Sequence, residues 1–184
     1  TKGMADILAA NGYITLASDY RGFGKSENDS QGSRGHNPNY AIDVLNLIAS
    51  VKNIEKADSD LIGMWGHSMG GEVSIRTAEV TDEVKAIVLW APTSTNSSEN
   101  AAFYGRGRHG VSPSSIPGTE KTLQDTYLRY ITAPISIHQG LADTEVKPEW
   151  SKNLYDALRK EGKTVEYHEY KGQDHNFKNL GWDE

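Results

Sequence analysis

Leu61-Ile62-Gly63-Met64-Trp65-Gly66-His67-Ser68-Met69-Gly70-Gly71 is the stretch whose reading decides the fold. Leu61 to Trp65 is a short apolar run of the kind that forms a buried strand, and Met69 to Val80 suits a helix. A strand that turns sharply into a helix brings the two backbones close together. The residues two before and two after the turn must then be tiny, as Gly66 and Gly70 are, and Gly71 adds room. Such a turn lifts Ser68 Oγ clear of the backbone. The five-residue pattern alone is weak, and an idle serine in a glycine-rich turn is its bland reading. Between a strand and a helix it marks Ser68 as a nucleophile, which needs a neighbouring base to take its proton.

Outward from this stretch, short apolar runs alternate with helical patterns. Tyr13 to Ala17, Val84 to Trp90, Ile135 to His138 and Val165 to Tyr170 read as further strands. Helices are expected over residues 3–11, from Pro38 to about Lys56, and from Pro148 to Lys160, the last closed by Gly162. In the second of these, Tyr40, Val44, Leu47, Ile48 and Val51 share one face. Residues 27–37 are polar and glycine-rich and read as surface loop. This rhythm means βαβ units and a mainly parallel sheet. Residues 92–130 break it with prolines, glycines, a Ser/Thr/Asn run and the aromatics Phe103, Tyr104 and Tyr127. A connection that long is usually functional, and a small lid-like insertion is the expectation.

A base and an acid to orient it should follow the serine in the chain. Asp143 comes just after the strand Ile135 to His138, and His175 just after Val165 to Tyr170. Open parallel sheets place their sites beyond these carboxyl ends. Asp174 is the rival acid, but side chains adjacent in sequence rarely face each other. His67, His138 and His168 read as packing residues, and His36 and His109 as exposed loop residues. Arg21 reads as a structural hydrogen-bond donor rather than a substrate contact.

With Asp19-Tyr20-Arg21-Gly22-Phe23-Gly24-Lys25-Ser26, Gly66 to Gly71, His138 to Asp143 and Gly172 to His175 in place, the chain resembles an α/β hydrolase. The likeness is to the branch of prolyl-oligopeptidase-type peptidases and dienelactone-hydrolase-like esterases. It covers nearly the whole chain apart from residues 92–130. It implies a three-layer α/β sandwich over residues 1–184, with Ser68 as nucleophile, His175 as proton shuttle, Asp143 as its orienting acid and the Met69 backbone N–H as an oxyanion donor. It also implies that the N-terminal strands of the usual eight are missing. In the family's order one of these lies between the Tyr13 to Ala17 strand and the Leu61 to Trp65 strand. Without it, Tyr13 to Ala17 loses a neighbour, and a second oxyanion donor, usually carried by the loop after that strand, is lost too. A longer protein, or a partner chain completing the sheet, is therefore expected.

The bulk numbers exclude more than they select. The chain has 184 residues, 36% of them hydrophobic, which suffices for one sizeable core. A net charge of −6 gives no reason to bind nucleic acid or an anionic membrane. The lack of cysteine removes disulfides, thiolate metal sites and a cysteine nucleophile. No His/Asp/Glu grouping has metal-ligand spacing, and no cofactor is expected. No apolar run approaches the roughly 20 residues of a membrane span, so a soluble chain is the expectation; the sequence leaves the compartment open, with the cytoplasm favoured. The reading favoured is a carboxylic-ester hydrolase acting on a small ester, with Phe103, Tyr104 and Tyr127 as pocket walls. A prolyl-oligopeptidase-type peptidase acting on short peptides and a non-catalytic binding module are the alternatives.

Overall fold

The computed structural model describes residues 2–27, 37, 39–104 and 127–178. In chain order the elements are α1 (Lys2–Ala10), α2 (Tyr40–Val51), β1 (Ile62–His67), α3 (Met69–Ala78), β2 (Val84–Trp90), α4 (Ser97–Tyr104), a 3-10 turn (Leu128–Tyr130), β3 (Ile135–Gly140), α5 (Pro148–Lys160) and β4 (Val165–Tyr170). The four strands form one parallel sheet in the order β1-β2-β3-β4.

Strand alternation sorts the side chains onto two faces. Ile87 and Leu89 on β2 and Ile135 and Ile137 on β3 point into a core shared with Ile48 of α2, Ile75 of α3, and Leu154 and Leu158 of α5. Leu89, Ile137, Ile75 and Leu158 are wholly enclosed. Each such side chain removed from water contributes about 1.5–3 kcal/mol. This apolar burial holds α3 and α5 against the sheet.

The opposite face is aromatic. Trp90 stacks on His138 at 4.7 Å, His138 stacks on His168 at 4.9 Å, and Phe177 meets Trp90 edge-on at 4.6 Å. His138 is also bonded to Tyr170 Oη at 2.7 Å and to Ser136 Oγ at 3.0 Å. Burial, with the neighbouring His168 and against the pull of Glu166, lowers the His138 pKa to about 4, so the ring is neutral at pH 7. α1 lies on this side, where Met4 and Ile7 with Trp65, His67 and Trp90 line a cavity of about 400 Å³ that borders His175.

The expected strand from Tyr13 to Ala17 does not form. These residues belong to no ladder, and Tyr13, Ile14 and Leu16 are exposed. A strand exists only by pairing, and the described residues offer this segment no neighbour, since β1 pairs with β2 alone. The segment after it is held by other means. Arg21 binds Asp43 of α2 through its backbone N–H and its guanidinium, and Tyr20 stacks on Tyr40 at 4.9 Å. Arg21 is thus a structural donor. Of the insertion expected over residues 92–130, residues 105–126 lie outside the described residues, as do His36 and His109. Among the described residues no helix is long and apolar enough to cross a membrane.

Candidate active site

β1 runs two residues further than its apolar run suggests, through His67, and Ser68 forms the turn into α3. Ser68 has φ 56° and ψ −124°, a conformation that costs a non-glycine residue energy and persists only where neighbours impose it. Its N–H donates to the Trp90 carbonyl at 2.9 Å. Its carbonyl accepts from Gly71 N–H at 2.9 Å and from Thr93 N–H at 3.1 Å.

The glycines around the turn differ in what they permit. A Cβ on Gly66 would lie 2.5 Å from the Gly70 carbonyl oxygen, and one on Gly71 would lie 2.6 Å from Pro92 Cβ. Beside Gly70 there is open space. The expected close approach of strand and helix is thus between Gly66 and Gly70, where Gly66 alone must lack a Cβ, and Gly71 makes a second approach, to the β2–α4 loop.

His175 Nδ1 is 2.8 Å from Asp143 Oδ2, with the carboxylate side chain fully enclosed. Asp143 Oδ1 accepts the backbone N–H groups of Glu145 and Val146, each at 2.8 Å. Burial pushes the Asp143 carboxyl up, but the bonds from His175, Val146 and Glu145 outweigh it and leave the pKa below its usual value. An ionised Asp143 is an acceptor only, so His175 carries its proton on Nδ1. Nε2 is left with the lone pair a general base needs.

Gln139 also holds the acid. It is fully buried on the core face of β3, donates to Asp143 Oδ2 at 3.2 Å, and accepts Ser151 Oγ–H of α5 at 2.6 Å. Alternation with Ile135 and Ile137 places it there, a signal present in the sequence. Asp174 does something else: it accepts Asn176 N–H and Lys178 N–H and closes its own turn.

His67 links the two halves of the site. Its Nε2–H donates to the His175 carbonyl at 2.9 Å, and the two rings lie 4.5 Å apart. The structure thus joins His175 to Asp143 directly and ties it to His67, the residue before Ser68; among the described residues Ser68 Oγ and His175 are not hydrogen-bonded. The Met69 amide is the first of α3, one of the N–H groups a helix leaves without an internal acceptor.

Phe103 and Tyr104 pack on α5 and the Asp143 loop. Phe103 meets Trp150 at 5.2 Å with Lys147 Nζ over its ring, and Tyr104 Oη–H donates to the Glu145 carbonyl at 3.0 Å. Burial first, then Asp143, Glu145 and Glu72, raise the Tyr104 pKa to about 12, which keeps this donor protonated. Tyr127 lies apart from them, half-exposed beside Tyr130. Among the described residues no group of His, Asp or Glu is arranged to hold a metal ion.

A family model described as Serine aminopeptidase, S33, matches residues 1–109. Human protein ABHD12B is 30% identical over 176 aligned residues, covering 85% of this chain and 44% of its own length. The chain spans less than half the length of the curated relatives it matches. The esterase Pf2001 of Pyrococcus furiosus superposes with a TM-score of 0.74 at 22% identity, over 99% of this chain and 70% of that one. An acylaminoacyl peptidase of Pyrococcus horikoshii does so with a TM-score of 0.64, also at 22% identity, over 77% of this chain and 24% of its own. These two likenesses show the fold.

Proposed function

The chain belongs to the Serine aminopeptidase, S33, family of α/β hydrolases, and on that premise we propose that it cleaves carboxylic esters through an acyl-enzyme on Ser68. The observation that carries this reading is the buried 2.8 Å bond between His175 and Asp143, which leaves the His175 Nε2 lone pair free to act as a base. In the proposed sequence, His175 Nε2 takes the Ser68 proton as Oγ attacks the acyl carbon. Met69 N–H faces the oxyanion that forms, and the imidazolium, supported by Asp143, gives its proton to the departing alcohol. Water then enters by the same route in reverse and releases the acid.

Esters are favoured over amides by the leaving group, since an alkoxide departs more readily than an amine. The family description and the acylaminoacyl peptidase among the similar structures support the second reading, a serine peptidase. Turnover of p-nitrophenyl acetate against an aminoacyl p-nitroanilide separates the two. The ester should be turned over, while the anilide should not be cleaved above the rate of a Ser68→Ala control. Comparable or faster cleavage of the anilide would establish the peptidase.

A further inference from the structure

Glu72 lies one turn into α3 from Ser68 and is almost fully buried, at 4% exposure. Burying a carboxylate is costly unless it is paired and hydrogen-bonded, so this one is held in place for a reason. Its Oε1 accepts Arg76 Nε–H at 3.0 Å, with Arg76 Nη2 at 2.9 Å. Its Oε2 accepts Asn100 Nδ2–H of α4 at 3.2 Å and, at the longer distance of 3.4 Å, the Thr93 hydroxyl. Asn100 Nδ2 also donates to the Ser94 carbonyl at 2.7 Å, and Arg76 Nη2 to the Thr95 carbonyl at 3.3 Å. Residues 93–95 are thereby pinned to α3 from both sides.

The backbone of that same loop reaches the nucleophile. Thr93 N–H donates to the Ser68 carbonyl. A peptide unit is planar, and in the trans form its C=O and N–H point in opposite directions. Fixing the Ser68 carbonyl therefore fixes the direction of the Met69 N–H in the same unit. Ala91, at φ 43° just before the loop, is a second strained residue that neighbouring contacts must impose.

We propose that Glu72 is a positioning residue for the oxyanion donor. Through Thr93 and Asn100 it holds the β2–α4 loop so that the Thr93 amide aims the Met69 N–H at the reacting carbonyl. This assignment rests on Ser68 being the nucleophile and Met69 N–H its oxyanion donor.

The test uses Glu72→Gln and Thr93→Val in the intact protein, both near in shape to the native side chains, with Thr93→Ser as the conservative rescue. Turnover of p-nitrophenyl acetate and of its thiono analogue reads the cradle directly, because hydrogen-bond donors stabilise a developing thiolate less than an alkoxide. In Thr93→Val and Glu72→Gln, kcat for the oxo ester should fall by about tenfold, a fraction of the worth of a whole donor, with KM within about twofold. The oxo-to-thiono ratio should fall with it, while Thr93→Ser returns near to wild type. Folded variants with unchanged kcat and an unchanged oxo-to-thiono ratio would overturn the proposal. So would a loss of kcat that tracks lost thermal stability while the ratio stays fixed. Failure of the underlying reading looks different: wild-type protein would then show no acyl adduct on Ser68.

Discussion

At the residue scale, the chemistry rests on which nitrogen of His175 carries the proton. Asp143 decides this by accepting from Nδ1 while two backbone amides and Gln139 fill its remaining lone pairs. Replacing Asp143 with Asn keeps the shape but offers an N–H where an acceptor is needed. The His175 ring must then carry its proton on Nε2, the wrong side for a base. We expect Asp143→Asn to lower kcat for p-nitrophenyl acetate by roughly 10⁴-fold, the loss the same change causes in a Ser-His-Asp protease. Steady-state kinetics at pH 7, with circular dichroism to verify folding, checks this. A loss under tenfold in a folded variant would remove Asp143 from the orienting role.

At the scale of elements, the β1–α3 turn depends on two close approaches, each to a different partner. Gly66 admits the Gly70 carbonyl and Gly71 admits Pro92 of the β2–α4 loop, whereas a side chain on Gly70 would face open space. Gly71→Ala should therefore destabilise by about 1–3 kcal/mol through overpacking. Gly70→Ala should be neutral or slightly stabilising, since alanine costs less than glycine in a helix. Urea denaturation of the two variants would reveal the difference, and equal destabilisation would contradict the geometry. This contrast also marks how far the sequence could be read. The spacing of glycines around Ser68 located the turn, but not which glycine met which neighbour. Strands β1 to β4 and α5 were legible because their apolar periods reflect burial in one core. Tyr13 to Ala17 carried a strand-like pattern without a strand, because pairing depends on a neighbour that pattern does not supply. That Asp143 and His175 would meet was legible from their order and strand-end positions. Glu72, Thr93 and Asn100 were not, because nothing in residue spacing shows that polar groups from a loop and from a second helix converge on the Glu72 carboxylate.

At the scale of the whole molecule, the parallel sheet brings four loops to one edge. Three of them carry the proposed chemistry: the β1–α3 turn brings Ser68, the loop after β3 brings Asp143, and the loop after β4 brings His175. The fourth, after β2, braces the nucleophile through Thr93. The core face of the sheet anchors α3 and α5 beneath these loops, and the aromatic face holds Phe177 against Trp90, two residues past His175. The family shares this architecture, so what distinguishes the chain is whether the assembled groups act together. The most direct measurement is covalent labelling by a fluorophosphonate, read by intact mass and peptide mapping. A single adduct on Ser68 is predicted, abolished in Ser68→Ala and formed far more slowly in His175→Ala. Labelling at another residue, or an unlabelled Ser68 in folded protein, would contradict the account.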